Sequence, residues 1–409
     1  MTYRPATPSA YLRAVVLLIA WSILCLSSRA QWKRHTIDAS SKGADGVRLG
    51  DVNHDGLPDV VTPWEQGGVI RVYLNPGAKH AKKHWPAVTV GKVGGPEDAV
   101  FADLDGDGML DVVSSCEGRT RSVFVHWSPR DMNDILDASA WTTEAFDAVK
   151  GKQLWMFALP LDVDTRNGID LIVGSKGKGA TIGWLESPKN PRDVSAWKFH
   201  KLRDAGWIMS LVAHDVDGDG DKDVVFCDRK GARSGTFWLE NPGADAAAAG
   251  KPWKEHPIGA AGLEVMFLTV ADLDADGRDD VIAKTWNKKI VFSKRLGDGN
   301  DVRWKSHAIE LPYGLPRGKS VAVADINQDS KRNMVTTNRG GGVKPSVVWM
   351  EYDKSPSEAR WKSHDISGLD GSKFDLIELV DLDADGDLDV LTCEEVANLG
   401  VFWYENPLN

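Results

Sequence analysis

Cysteine is scarce in this sequence of 409 residues. Four Cys occur, and one of them lies in an apolar segment near the amino terminus. The other three, Cys116, Cys227 and Cys393, are an odd number and occupy similar positions in different sequence repeats. We therefore expect buried free thiols and a fold that disulfides do not staple, even in an oxidising compartment.

Long apolar runs are also missing, apart from one near the start of the chain. Residues 14–26 are almost entirely apolar, follow two arginines and precede a Ser-Arg-Ala cleavage pattern at 28–30. The run is too short to span a bilayer comfortably. We predict a secretory signal over residues 1–30, with an uncleaved anchor as the alternative. The mature chain, residues 31–409, is then expected to have no membrane span and to be secreted, periplasmic or extracellular.

Basic residues are in the minority. The chain has 49 Lys and Arg against 59 Asp and Glu, a net charge of −10. Removal of residues 1–30 would take away three Arg and no acidic residue, which leaves a net charge of −13. Such a surface argues against nucleic acid as the partner.

Common catalytic fingerprints are absent from the sequence as well. There is no GxSxG nucleophile elbow, no HExxH metal pair and no glycine-rich dinucleotide fingerprint between a strand and a helix. Helical periodicity is weak throughout. The repeated sequence motifs are therefore the main guide to function.

The sequence repeats an aspartate-rich segment. Five copies fit one template and read DVNHDGLPDVV from Asp51, DLDGDGMLDVV from Asp103, DVDGDGDKDVV from Asp215, DLDADGRDDVI from Asp272 and DLDADGDLDVL from Asp381. Two weaker copies begin at Asp162 and Asp325, and the seven starts lie 52 to 59 residues apart. Seven units of this length account for nearly all of residues 31–409, which indicates a single repeat array.

The spacing of the acidic residues suits a hard cation. Oxygen ligands at positions 1, 3, 5 and 9, a main-chain carbonyl at position 7 and a glycine at position 6 fit Ca²⁺, which accepts six to eight oxygens. An EF-hand would need Glu at position 12, where the five copies carry Thr62, Ser114, Phe226, Ala283 and Thr392. A metal-free Asx turn is the alternative. We predict about five Ca²⁺ sites, with the ligands Asp51, Asn53, Asp55, Asp59, Asp103, Asp105, Asp107, Asp111, Asp215, Asp217, Asp219, Asp223, Asp272, Asp274, Asp276, Asp280, Asp381, Asp383, Asp385 and Asp389.

The two weaker copies depart from the template. Arg166 replaces the third carboxylate of the copy at Asp162, where a guanidinium could stand in place of the metal. The copy at Asp325 has Ser330 for the glycine and Asn333 for the last Asp. No firm metal is predicted in either.

Four short extended segments surround each loop, which predicts an all-β, seven-bladed β-propeller with four-stranded blades. The array begins with a fourth-strand pattern, WKRHTID, and ends with a third-strand pattern, FWYENP. Residues 32–38 should therefore pair with 400–405 and close the ring. The repeats resemble the FG-GAP/VCBS calcium-loop blades of integrin α-subunit propellers and of many secreted bacterial proteins, over the whole mature chain. Because the Phe-Gly-Gly-Ala-Pro signature is absent, the resemblance implies the fold and not the integrin's partner.

Tryptophan and histidine follow the repeat, with four exceptions. Five His lie in Trp-x-x-His copies of the outer strand and are expected to pack; they are His35, His200, His256, His307 and His364. Four Trp that the repeat does not require are expected on the face opposite the aspartate loops, here called the top face: Trp64, Trp155, Trp207 and Trp286.

Charge on the top face is predicted to be uneven. Blades 3 to 6 offer basic residues: Lys152, Lys176, Arg229, Lys230, Lys284, Arg317, Lys319 and Arg339. Blades 1, 2 and 7 offer acidic ones: Glu65, Glu97, Asp98, Glu117, Glu394 and Glu395.

Two classes of function fit this pattern. The first is a monomeric, secreted binding module that presents the four Trp with Lys319 and Arg339 to an extracellular glycan or protein. The second is an enzyme, because such propellers also resemble polysaccharide lyases and sugar dehydratases that act at the top of the central channel. β-Elimination needs a base, and Tyr313, close in sequence to Arg317 and Lys319, is the candidate.

Overall fold

The structure is a computed structural model that describes residues 32–312, 314–358 and 360–408. The signal predicted over residues 1–30 and the candidate base Tyr313 lie outside the described residues. Within them, no helix is long and apolar enough to cross a membrane.

Seven antiparallel sheets of four strands form the blades of a propeller. The first described strand, β1 (Lys33–Asp38), belongs to the last blade. Blades 1 and 2 follow, with β2 (Arg48–Gly50), β3 (Asp59–Trp64), β4 (Val69–Tyr73), β5 (Ala87–Lys92), β6 (Pro96–Ala102), β7 (Asp111–Cys116), β8 (Ser122–Trp127) and β9 (Thr142–Ala145). Blades 3 and 4 consist of β10 (Leu154–Leu161), β11 (Asp170–Lys176), β12 (Thr181–Glu186), β13 (Lys198–Asp204), β14 (Ile208–His214), β15 (Asp223–Asp228), β16 (Gly235–Glu240) and β17 (Lys254–Gly259).

The remaining three blades repeat the same order. Blades 5 and 6 consist of β18 (Val265–Ala271), β19 (Asp280–Thr285), β20 (Lys289–Arg295), β21 (Trp304–Glu310), β22 (Arg317–Ala324), β23 (Asn333–Arg339), β24 (Val347–Tyr352) and β25 (Trp361–Asp365). Blade 7 contains β26 (Phe374–Val380), β27 (Asp389–Glu394) and β28 (Gly400–Glu405). Short helices lie in connections between third and fourth strands: α1 (Ala244–Ala248) and the 3₁₀ turns Met132–Asp134 and Gly299–Asp301.

The predicted closure of the ring is confirmed. β1 pairs antiparallel with β28 and supplies the outer strand of blade 7, with His35 opposite Trp403. The same strand reaches blade 1, because the Asp38 carboxylate accepts hydrogen bonds from Arg71 Nη1 at 2.5 Å and from Tyr73 Oη at 2.9 Å. The amino-terminal strand therefore joins the last blade to the first.

Second strands form the most deeply buried layer. Every residue of β3, β7, β15, β19 and β27 is buried, because each sheet packs against a neighbouring blade on both faces. The three described cysteines lie on β7, β15 and β27, are buried and form no disulfide, as predicted. Burial raises the pKa of the Cys116 and Cys227 thiols to about 12.

The outer-strand histidines pack, as the sequence predicts. His256 stacks on Trp238 of the third strand with 4.3 Å between ring centroids, and its Nε2 lies 2.6 Å from Glu240 Oε2. Equivalent His–Trp and His–Glu contacts join β1 to β28, β13 to β12 and β25 to β24. These histidines link the outer strand of a blade to its third strand through stacking and hydrogen bonds, and they are not free to bind a metal.

Candidate functional site

The aspartate loops join the first and second strands of each blade and so lie together on the bottom face. All seven have a positive φ at position 6. Glycine occupies that position in the five regular loops, while Asn167 (φ 59°) and Ser330 (φ 69°) occupy it in the two weaker ones. The weaker copies therefore keep the loop shape although they lack part of the ligand set.

The Asp at position 9 has a structural role that its place in the ligand pattern does not reveal. Asp59 accepts hydrogen bonds from the backbone N–H of Val52 at 2.9 Å and of Asn75 at 2.8 Å, and so fastens the loop to the end of the third strand. Its counterparts at 111, 170, 223, 280 and 389 do the same. Burial raises the pKa of Asp59 to about 6, although the two N–H groups oppose the shift.

The chemistry of the loops fits a hard cation. Carboxylate oxygens of Asp215, Asp217 and Asp223 lie within 4.8 Å of one another, as do those of the loops at Asp103 and Asp162. Several loop carboxylates hold a buried oxygen without a hydrogen-bond partner in the described part of the chain: Asp103, Asp221, Asp274, Asp381 and Asp383. Buried acceptors of this kind are expected where a Ca²⁺ ion supplies the missing partner.

Three of the five regular loops already contain a basic side chain from elsewhere in the fold. Lys82 Nζ lies 2.8 Å from Asp383 Oδ2, and Lys294 Nζ lies 2.8 Å from Asp276 Oδ2 and also contacts Asp274. Arg192 contacts the loop that begins at Asp103 in the same way, through Asp105 and Asp107. Among the described residues no Lys or Arg forms an ion pair with the loops at Asp51 and Asp215. The carboxylates of these two loops are therefore not neutralised by a described Lys or Arg.

The weaker loop at Asp162 shows a different contact from the expected one. The Arg166 guanidinium is half exposed and pairs with Asp245 of α1 at 3.2 Å, outside its own loop. The carboxylates of Asp162, Asp164 and Asp170 still converge. The absence of a metal there stays a prediction.

The top face opens into the central channel, which the first strands line. A cavity of about 250 Å³ lies at this mouth, with a floor of Met156, Phe157, Met209, Met266 and Phe267. Its walls carry charged residues and two Trp: Asp45, Glu65, Glu97, Glu117, Lys176, Trp207, Arg229, Trp286, Lys319, Arg339, Lys373, Asp375 and Glu395. First strands begin and second strands end here, so the mouth is opposite the aspartate loops.

One half of the mouth is acidic and is bridged by lysines. Lys176 Nζ lies 3.5 Å from Glu97 Oε1 and also contacts Glu117. Burial raises the pKa of Glu97 to about 8; Lys176 opposes the shift and Glu117 adds to it. Glu97 is therefore easier to protonate than an ordinary glutamate.

The second lysine bridge closes the acidic half on the side of blade 7. Lys373 contacts Asp45, Asp375 and Glu395. Burial alone would lower the pKa of Lys373, but the carboxylates of Asp375 and Asp45 outweigh it and the pKa is raised. The charges of Lys176 and Lys373 are therefore largely neutralised by carboxylates of the protein itself.

The other half of the mouth alternates indole and guanidinium groups. The Arg229 guanidinium carbon lies 4.4 Å from the Trp207 ring centroid and 5.0 Å from that of Trp286. Arg317 lies 4.9 Å from the Trp286 centroid, so Trp286 contacts two guanidinium groups. Burial lowers the pKa of Arg229, and the nearby charge of Arg339 adds to the effect.

Trp207 is held by a buried polar network. Its backbone N–H donates to Asp228 Oδ1 at 2.8 Å, and Asp228 pairs with Arg203 at 2.9 Å. Arg203 also contacts Glu255 on the outer strand β17. The sequence pattern alone predicts no role for these residues; an Asp at the end of a buried second strand was the available signal.

Two of the four predicted Trp platforms are wrong. Trp64 and Trp155 are fully buried, and their indole N–H groups donate to Tyr73 Oη and to the Val149 carbonyl. They belong to the core and offer no face to a ligand. Trp207 and Trp286 do lie at the mouth, and so do Lys319 and Arg339. Lys319 is buried and paired with Asp375, whereas Arg339 is exposed.

Lys284 also departs from its predicted place on the basic top face. It is fully buried on β19, and its side chain packs against Gly318 of the next blade, where any Cβ would collide with it. Lys284 therefore offers no cation to a ligand at the mouth.

Comparison with known proteins bears on the family and on the fold. Residues 51–114 match the FG-GAP-like repeat. No curated protein sequence matches the chain. Two solved structures of similar fold are described as crystal structures of BBS1N in complex with ARL6DN, soaked with mercury and with lead. They are 9% identical to this chain, cover 93% of it and 98% of their own chain, and have TM-scores of 0.53 and 0.52. At this identity the likeness concerns the fold alone. The chain is thus a seven-bladed β-propeller in which residues 51–114 match the FG-GAP-like repeat.

Proposed function

We propose that this protein is a secreted, calcium-stabilised binding module that holds an extracellular carbohydrate or protein at the mouth of its central channel. The observation that carries the proposal is the convergence of Trp207, Trp286, Lys319 and Arg339 on one cavity. Concave sites with a few convergent polar groups are where ligands usually bind. A groove of about 600 Å³ between blades 6 and 7 is larger, but its charged lining consists of His364 and Asp365.

Different observations support a protein ligand and a carbohydrate ligand. The solved structures of similar fold described above show BBS1N in complex with ARL6DN, which supports a protein ligand only by analogy of fold. Aromatic and charged groups in a recess are compatible with sugars as well. A monomer in an extracellular or periplasmic location is part of the proposal.

Arg339→Ala tests the location of the binding site. Arg339 is exposed and makes no ion pair within the described residues, so its removal should leave the melting temperature within about 1 °C while it weakens binding roughly tenfold or more. Binding would be measured on a glycan array and by pull-down of extracellular proteins. Lys305→Ala, an exposed outer-strand lysine, is the matched control for loss of a positive charge. Equal binding by Arg339→Ala and the parent would place the site elsewhere.

Chelation tests the calcium sites. Each site that binds Ca²⁺ at a hundredfold excess over its Kd adds about 2.7 kcal/mol to the free energy of unfolding, so EDTA should lower the melting temperature clearly. Asp217→Asn removes a ligand from a loop with no basic partner and should lose about one bound ion by metal analysis. Asp204→Asn, at an exposed surface Asp, should lose none.

Two results would contradict calcium in these loops. One is a melting curve that does not change in EDTA although metal analysis confirms removal. The other is a bound-metal content that Asp217→Asn leaves at the parent value.

β-Elimination is the alternative function, and its candidate base Tyr313 lies outside the described residues. Incubation with acidic polysaccharides, followed by ultraviolet absorbance of the unsaturated product, separates the two proposals. We expect binding without turnover, and steady product formation would instead establish a lyase.

A further inference from the structure

The indole faces at the mouth are covered by cations. Trp207 has Arg229 at 4.4 Å, Lys176 at 4.7 Å and Lys230 at 5.0 Å from its ring centroid. Trp286 has Arg229 at 5.0 Å and Arg317 at 4.9 Å. A sugar ring would have to displace these groups in order to stack. The indoles therefore act as supports that hold guanidinium groups in place.

The arginines of the mouth differ from its lysines in their charge balance. The lysines at 176, 319 and 373 each contact at least one carboxylate closely. Arg317 and Arg339 form no ion pair with any described residue, and the nearest carboxylate to Arg229 is Glu264, at 3.7 Å from Nε. Among the described residues, three guanidinium groups thus share one side of the mouth with one carboxylate in ion-pair range, that of Glu264, which also pairs with Lys230.

Buried hydrogen-bond donors without acceptors also indicate that an anion could bind on this side of the mouth. Arg229 Nε and Trp207 Nε1 are both buried and lack a hydrogen-bond partner in the described part of the chain. The Arg229 side chain is 12% exposed. Each of these groups can only donate, so the missing partner must be an acceptor. Buried donors that go unsatisfied cost free energy, which a ligand oxygen would recover.

We propose that the mouth recognises an anionic group, a carboxylate or a sulfate of an acidic extracellular polysaccharide, with Arg229 as the central contact and Arg317 and Arg339 beside it. The proposal rests on the proposed function and names the ligand chemistry of that same site. A planar guanidinium held between two indoles is preorganised for two parallel N–H···O bonds, which suit the oxygens of either anion. An anion would also relieve the repulsion between Arg229 and Arg339.

Titration calorimetry with three polysaccharides tests the proposal. The probes are polygalacturonate for carboxylate, dextran sulfate for sulfate and unmodified dextran as the neutral chain. We expect one or both acidic polymers to bind and dextran not to bind. Arg229→Met should weaken binding about 10- to 100-fold, since charge-assisted hydrogen bonds are lost, and Arg229→Lys should restore only part of it because an ammonium lacks the planar fork. Lys305→Met, remote from the mouth, should bind like the parent.

The outcomes separate the two proposals. One outcome is that dextran and the acidic polymers bind equally well and that Arg339→Ala abolishes the binding of all three. That result would overturn the anion proposal, but it would support the mouth of the channel as the binding site. Binding of an acidic polymer that Arg229→Met and Arg339→Ala both leave unchanged would overturn both. If Arg229→Met does not fold, then Arg317→Met, at an exposed position, replaces it: an affinity like the parent's would overturn the role of the stacked arginines.

Discussion

A chain that lacks residues 31–38 is expected to lose more than about 5 kcal/mol of its free energy of unfolding, a large part of the total for an ordinary domain. The deletion removes the outer strand of blade 7, exposes the edge of β28 and breaks the Asp38 contacts with Arg71 and Tyr73. Denaturant unfolding followed by tryptophan fluorescence, with light scattering for aggregation, measures the loss. A truncated protein as stable and as soluble as the parent would show that β1 does not close the ring.

Point variants in β1 test the same closing role if the truncated chain does not fold. Ile37 of β1 is 1% exposed, so Ile37→Ala should cost about 2 to 4 kcal/mol through the lost burial and the cavity that remains. Lys33→Ala, at an exposed position of the same strand, should stay within about 0.5 kcal/mol. Equal costs for the two variants would argue against a closing role of β1.

Lys284→Met is expected to stabilise the protein. The Lys284 side chain is fully buried, its Nζ has no hydrogen-bond partner among the described residues, and burial lowers its pKa from 10.5 to about 7. At about 1.36 kcal/mol per pKa unit, the cost of this lysine at pH 7 is on the order of 4 kcal/mol. Met keeps the chain length that packs against Gly318 and has no charge to bury. Denaturant unfolding at pH 7 of the variant and of Lys305→Met measures the gain.

The pH dependence gives this prediction a distinctive signature. Between pH 7 and pH 10.5 the unfolded chain binds a proton at Lys284 and the folded chain does not, so this lysine makes the parent more stable as pH rises. The advantage of Lys284→Met should therefore shrink from pH 7 towards pH 10. A gain that is the same at both values, or a destabilised variant, would mean that the ammonium has a partner.

The position of Lys284 shows how a repeat can mislead. It is the residue twelve after the loop's first Asp, where the other blades carry small side chains: Pro63, Ser115, Gly174, Cys227, Thr337 and Cys393. A lysine at that place in a strand of apolar residues was visible in the sequence. What was not visible is that Gly318 in the next blade leaves room for it, because that contact joins residues 34 positions apart.

The Trp residues make the same point at the mouth. Both Trp64 and Trp286 come at or just after the end of a second strand, and their local sequence gives no reason to separate them. The structure buries Trp64 against Tyr73 and leaves Trp286 between two arginines of blades 4 and 6. Which face of an indole is covered depends on side chains brought together from other blades.

The sequence by itself determined the features that repeat: seven units, four strands in each, the loop between the first and second strand, and closure by the first strand of the chain. These follow from short-range spacing, because strand alternation, turn residues and loop ligands all lie within a dozen residues of each other. Tertiary structure alone decided which loop carboxylates meet Lys82, Arg192 or Lys294, and which charges remain uncompensated at the mouth. Those contacts join residues from about 18 to more than 300 positions apart in the sequence. The packing of one blade against the next sets the distances between them, and no local sequence pattern encodes that packing.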